Sequence, residues 1–261
     1  MEHTKAKYVV LANCDVITTI DFSDALTQHQ NSEADITVIY AKGLYNRDKS
    51  TNGCILQIDE DNTIKEVLTN PMMSGECNIS LDMFIMNTDF LKQIVLEAIS
   101  KNQKSLIRDV LQARKDEFVF KAYEHKGSFF KIDSLEAYYK ANLALLDAKK
   151  RDSIFNREAP IYTKVGDNAP VKYGLESNVK NSLVADGCMI EGTVENCVLF
   201  RGVKIGKNAV IRNCVLMQGT EIADGCSIDS IVADKNVTIS ENRVLTGSSE
   251  YPLYLGKKAK I

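Results

Sequence analysis

Few residues of this 261-residue chain have the type and spacing that chemistry requires. Asp15 is the first of them. It follows Lys7-Tyr-Val-Val-Leu-Ala12, an apolar run that predicts a buried strand, and it stands with Asn13 and Cys14 at the carboxyl end, where open α/β sheets bind ligands. The plainer role for Asp15 is a cap on a turn. No Ser-His-Asp grouping, phosphate-cradling glycine loop or metal-spaced histidine pair is present, and His3, His29 and His125 all precede residue 130. Seven cysteines without a Cys-x-x-Cys pair indicate neither a disulfide framework nor a zinc knuckle. Arg201, Lys204, Arg212 and the tail lysines 257, 258 and 260 are candidate anion contacts, with solvated surface charge as the plainer reading.

The elements that must position these groups alternate. After the strand at 7–12, Asp21 to Asp24 offer an N-cap for a helix reaching Gln30, and residues 35–41 are a β-branched strand. Residues 53–58 and 63–68 form a hairpin across Asp59-Glu-Asp-Asn62, and a strand runs over 79–86. A helix at 89–99 is capped by Asn87 or Thr88. Residues 106–112 read as helical, 118–123 and 128–132 as strands, and 134–149 as one amphipathic helix in which Tyr138 and Tyr139 serve packing. This is an α/β domain over 1–149. Residues 150–178, with Pro160 and Pro170, read as a linker.

From about Asn181 one short phrase recurs. Asn181-Ser-Leu-Val, Asn196-Cys-Val-Leu, Asn213-Cys-Val-Leu and Asp229-Ser-Ile-Val start 15, 17 and 16 residues apart, with aliphatic residues about every sixth position. Such copies bury their apolar faces only by stacking, which predicts a hexapeptide-repeat β-helix over 179–247 with some corners trimmed. Its left-handed sense comes from the behaviour of hexapeptide proteins, and the tail at 248–261 is loop or edge strand. Cys197 and Cys214 are equivalent in consecutive copies, while Cys188 and Cys226 align with Ala209, as small residues in a ladder.

Composition bounds the reading. No apolar run approaches the ~18 residues of a membrane span, and Met1-Glu-His-Thr-Lys5 lacks a signal-peptide core, so the expectation is a cytoplasmic protein without membrane contact. A net charge of −3 gives no reason to expect nucleic acid.

Taken together, Tyr8-Val-Val-Leu-Ala-Asn-Cys-Asp15, Ile20-Asp-Phe22, Ala34-Asp-Ile-Thr-Val38, Glu136-Ala-Tyr-Tyr-Lys-Ala-Asn142, Val198-Leu-Phe-Arg-Gly202 and Val215-Leu-Met-Gln-Gly219 resemble bacterial glucose-1-phosphate adenylyltransferase (ADP-glucose pyrophosphorylase). The resemblance covers essentially the whole chain. It implies a truncated nucleotidyltransferase, Rossmann-like α/β domain followed by a left-handed β-helix, in an enzyme that joins ATP and glucose 1-phosphate into ADP-glucose and pyrophosphate for glycogen synthesis. It also implies Mg²⁺ held by carboxylates and an N-terminal Gly-Gly-x-Gly-x-Arg loop upstream of Asp15, so that this chain reads as a C-terminal portion of a longer protein.

Carried over residue by residue, Asp15 matches the first metal aspartate. The second metal aspartate's position holds Lys131, in Phe129-Phe-Lys-Ile-Asp-Ser134, and Asp133 would lie about 7 Å further along the same strand face. The sugar-phosphate lysine is replaced by Asn70, which forfeits an ion-paired hydrogen bond of ~1.5–3 kcal/mol. Ser80 matches a sugar-contacting serine, Asp82 replaces the glycine that follows it, and Gly53 matches a glycine before the next strand. These losses resemble the GlgD-type subunit, the non-catalytic or weakly catalytic partner of a catalytic adenylyltransferase subunit in certain Gram-positive bacteria. The expected chain alone is inactive and does not bind Mg²⁺. It joins a hetero-oligomer with a catalytic subunit and, as a fragment, self-associates. An active nucleotidyltransferase in the full-length protein is the alternative, and a hexapeptide acyltransferase, which needs a histidine base on the coils, the distant one.

Overall fold

A computed structural model describes residues 5–48, 53–156, 159–163 and 165–261. His3 lies outside them. The chain divides into two compact units, Met1–Ser134 and Leu135–Ile261.

The first unit is a six-stranded mixed sheet with helices on both faces. Strands β1 (Tyr8–Ala12), β3 (Ile36–Asn46), β4 (Cys54–Ile58), β5 (Ile64–Thr69), β6 (Ser74–Asn87) and β7 (Phe120–Glu124) build it in the order β5-β4-β6-β3-β7, with β1 also on β6. Only β3 and β7 pair in parallel. Alternation assigns the faces. Ile36, Val38, Phe84 and Met86 point to one core under helix α2 (Thr88–Ser100), while Ile39, Ala41, Met83 and Ile85 point to the other under helix α1 (Phe22–Asn31). Both helix starts follow from their caps. Asp21 and Asn87 each accept from the backbone N–H two residues on, so Asn87 rather than Thr88 is the cap of α2.

Two expectations change. Strand β1 is a partly exposed edge strand rather than a buried one, since β6 is its neighbour and Val10 is 41% exposed. Strands β3 and β6 outrun their apolar stretches, because their far halves pair with each other over Tyr40–Asn46 and Ser74–Ser80, where Leu44 is solvated. A two-stranded ladder, β2 (Val16–Thr18) with β8 (Phe129–Lys131), lies beside the main sheet. Residues Ile107–Gln112 form a single π-helical turn.

The second unit begins with two helices where the sequence predicts one. Helix α3 (Leu135–Ala144) stops because the N–H groups of Leu145, Leu146 and Asp147 bond three residues back instead of four, and Asp147 then caps α4 (Ala148–Ile154) through the N–H of Lys149.

Three parallel five-stranded sheets close the left-handed solenoid, whose first strand is already Lys172–Tyr173 and whose last is Leu253–Leu255 in the tail. Three inward columns fill it: Ile190-Ile205-Ile222-Ile239, Val194-Ile211-Ile228-Leu245 and Leu199-Leu216-Ala233-Leu255. Each fully buried aliphatic side chain contributes about 1.5–3 kcal/mol relative to exposure. On the outer side of one sheet, Tyr139 of α3 packs on Val215 and Val232, and its hydroxyl donates to the Asn213 carbonyl at 2.7 Å.

The repeat spacing is corrected by the corners. Asn181, Asn196, Asn213 and Ser230 all hold the left-handed conformation, so the fourth copy starts at Ser230 and the spacings are 15, 17 and 17. Asp229, one residue before that corner, ends a side-chain ladder with its carboxylate. Asn181 donates to Asn196, Asn196 to Asn213, and Asn213 to Asp229 Oδ1 at 3.1 Å. The 15-residue coil is trimmed at one corner, where Glu191-Gly192 stands against Gly206 to Ala209 in the next coil. A Cβ on Gly192 would collide with the Ala209 carbonyl oxygen.

The cysteine alignment is corrected as well. Register places Cys226 with Ala209 and Gly192, but Cys188 with Val203, Thr220 and Val237, one face away. The hexapeptide phrase recurs on every face, so a match of phrase does not identify the face. Each of the four coil thiols is buried and donates to a backbone carbonyl: Cys188 to Phe200, Cys197 to Glu195, Cys214 to Arg212 and Cys226 to Ser240.

Candidate functional site

The residues with chemical potential gather in the first unit around an irregularity in β6. Ile39 faces Met83 across the β3–β6 ladder, yet the next residue, Tyr40, faces Ser80. Leu81 and Asp82 are the surplus. This bulge turns Asp82 into the left-handed region at φ 52, a conformation in which glycine is at home and which costs an L-residue about 1–2 kcal/mol.

The Asp82 side chain uses that position fully. Its Oδ1 accepts from the Ser80 hydroxyl at 3.1 Å, and its Oδ2 lies 2.9 Å from the Lys131 ammonium of β8. The two side chains are 6% and 11% exposed. Below them is the Cys54 thiol, pushed up to about 12 by burial first and by the Asp82 charge second, against the opposing pull of Lys131 and Ser80. That thiol is inert at neutral pH.

Asp15 is tied to the same place through the backbone. Its carbonyl accepts from Ile132 N–H at 2.6 Å, its neighbour Val16 faces Lys131 across the β2–β8 ladder, and Asn13 N–H donates to the Asp82 carbonyl. Asp15 Oδ1 is enclosed and makes no hydrogen bond. A cleft of about 330 Å³ opens alongside, lined by Asn13, Asp82, Phe84 and the 105–107 segment.

Gly53 and Asn70 form a separate pair. Asn70, at φ 48, donates its N–H to the Gly53 carbonyl and accepts the Gly53 N–H on its side-chain oxygen, both at 2.7 Å. These bonds close the open end of the β4–β5 hairpin. Gly53 is required there because a Cβ would run into the Tyr45 ring. Asp133 lies beyond the end of β8, so the expectation that it shares a strand face with Lys131 is corrected.

Mg²⁺ does not fit this donor set. Lys131 holds a cationic group against the Asp82 carboxylate, and among the described residues no three His, Cys, Asp or Glu side chains gather as metal ligands. On the coils, Arg201, Lys204 and Arg212 each lie within 3.5 Å of a carboxylate, those of Asp186, Glu221 and Glu195. Sequence reasoning saw Asp82 and Lys131 as separate departures from a pattern. Their opposite charges were the signal that they are partners.

No described helix is long and apolar enough to cross a membrane. Residues 169–250 match the family described as GlmU-like, C-terminal hexapeptide. The chain is 34% identical over 251 residues to the glycogen biosynthesis protein GlgD of Bacillus subtilis, covering 96% of this chain and 63% of that protein. It is 35% identical over 208 residues to GlgD of Geobacillus stearothermophilus, 80% of this chain and 50% of the other. With glucose-1-phosphate adenylyltransferase of Mycoplasma mobile it shares 30% over 208 residues, 78% of this chain and 54% of that enzyme. It therefore spans between half and two-thirds of these proteins' length. The chain is thus similar to a GlgD glycogen biosynthesis protein over 96% of its length, to a glucose-1-phosphate adenylyltransferase over 78% of it, and to the GlmU-like hexapeptide family over residues 169–250.

Proposed function

We propose that the protein containing this chain works in glycogen biosynthesis as a non-catalytic, GlgD-type subunit that assembles with a catalytic glucose-1-phosphate adenylyltransferase and biases its activity. The ion pair between Lys131 and Asp82 carries this reading. It occupies the place where the resemblance puts a metal carboxylate, and a fixed ammonium there opposes the divalent ion on which attack at the α-phosphorus depends. Asn70 supports it, since its side chain is engaged in closing a hairpin rather than offered to a phosphate. Mg²⁺ is accordingly not a cofactor of this chain on its own. The coils carry no histidine, which disfavours acyl transfer.

Regulation of a partner requires that the assembly have two states and that an effector bind them unequally. The test is ADP-glucose formation by a candidate catalytic subunit, with and without the full-length parent, and by the parent alone. The expected result is a silent parent that changes the partner's rate or substrate dependence. Turnover by the parent alone overturns the reading and makes Asp133 the first residue to substitute.

The chain by itself also has reason to self-associate. Edge strand β1, with Val10 partly exposed, and the solvated Leu96 and Ile99 of α2 are apolar surface beside unpaired backbone. Light scattering that shows only monomer across the micromolar range counts against this.

A further inference from the structure

We propose that the free edge of β1 is a self-recognition surface: it takes β1 of a second copy of this chain, antiparallel and centred on Val10, and so joins the two six-stranded sheets into one. This deepens the self-association argued above by naming its strand and register, and it rests on that reading.

The hydrogen-bond parity of β1 sets what the edge offers. The Lys7 carbonyl accepts from Thr88 N–H and Asn13 N–H donates to the Asp82 carbonyl, both in step with the β1–β6 register. The odd-numbered residues therefore direct their backbone groups to β6. Alternation turns the N–H and C=O of Tyr8, Val10 and Ala12 the other way, and among the described residues no strand pairs there. Nothing in Tyr8–Ala12 guards that edge, which has no proline, no charge and no break in its register.

The sequence about Val10 is matched to its own reverse, as a two-fold axis requires. Val10 meets Val10, Val9 meets Leu11, and the large Tyr8 meets the small Ala12. In this register Tyr8 with Ala12, Val10 with Val10, and Ala12 with Tyr8 each exchange both N–H···O bonds, and a shift of two residues either way loses one of these pairs. Further out, Lys7 meets Asn13 and Lys5 comes toward Asp15, so no two like charges are opposed. On the face below α2, Leu11 continues into an apolar groove of about 290 Å³ lined also by Ile94, Val95, Ile99 and Leu106, which the two-fold sets beside its equivalent.

The experiment joins sedimentation of the full chain across the micromolar range to amide exchange by NMR, with a thiol reductant present because Cys14 is exposed. The expected result is a dimer whose Tyr8, Val10 and Ala12 amides slow as it forms, while those of Val9 and Leu11 are already protected by β6. Val10→Pro removes an edge N–H and takes no bond from β6, and Val10→Lys sets two ammonium groups together across the two-fold. Each is expected to raise the dissociation constant about tenfold or more.

The exchange pattern of the wild type decides whether or not either variant folds. A dimer in which those three amides stay fast, or one indifferent to both folded variants, overturns the pairing and leaves self-association by another surface, which loss of the dimer in Ile99→Gln would place on α2. A monomer with the three amides protected has its edge covered from within the chain and overturns the proposal. A monomer with them fast removes self-association altogether. None of these outcomes touches the non-catalytic reading, which ADP-glucose formation decides.

Discussion

The hydroxyl of Tyr139 donates to the carbonyl of Asn213 across 2.7 Å, joining helix α3 to a corner of the solenoid. The ring is buried on Val215 and Val232, so the bond is made where water is excluded. Tyr139→Phe keeps the packing and leaves one carbonyl lone pair unused, and should cost about 1 kcal/mol. Tyr139→Ala removes the ring as well and should cost about 3–5 kcal/mol. Denaturant midpoints of the two variants check the order. Equal losses would mean that the helix contributes little to the solenoid.

Asp82 and Lys131 should behave as a coupled pair. Either single change, Asp82→Gly or Lys131→Met, strands a buried charge and should lose about 3–5 kcal/mol. Asp82→Gly with Lys131→Met removes both charges and relieves the left-handed backbone, and should be closer to wild type than either single variant. A double-mutant cycle by urea unfolding measures the coupling.

Stability should fall on mild acidification. Burial holds His29 and His125 below the ordinary imidazole value of 6.5, as each sits against a threonine hydroxyl, Thr37 and Thr18. The unfolded chain then binds more protons than the folded one between the lowered values and 6.5. The contribution is therefore intact above pH 6.5 and is lost as the pH falls from there toward the folded values. Unfolding midpoints of wild type and of a His29→Gln/His125→Gln variant, compared from pH 7.5 to 5.5, should converge as the pH drops.

Gly53→Ala should disorder the hairpin end rather than the sheet. The added methyl meets the Tyr45 ring, and the Asn70 bonds to Gly53 must shift with it. A loss of about 1–3 kcal/mol is expected, with faster amide exchange at Gly53 and Asn70.

The repeat was readable because every coil restates it, and each copy votes for the same columns. The single helix expected over 134–149 failed because the break at 145–147 is made by backbone bonds three residues back, which Leu145 and Leu146 do not announce. The misplacement of Cys188 has a similar cause, since one local phrase serves three faces and only register tells them apart. At the site, Asp82 and Lys131 are 49 positions apart, and nothing along the chain says that a bulge aims the one at the other. Charge complementarity between two departures from a family pattern was the one clue on offer.

The trimmed corner at Glu191-Gly192 shows how this solenoid tolerates change. Two residues are absent there, yet every strand on either side keeps its stacking partner. The architecture counts columns and ignores contour length, so its turns are free to drift while its rungs stay fixed. Lineages that carry it can lose or gain residues at a bend without disturbing the interior, and variation in repeat length is a poor guide to variation in shape.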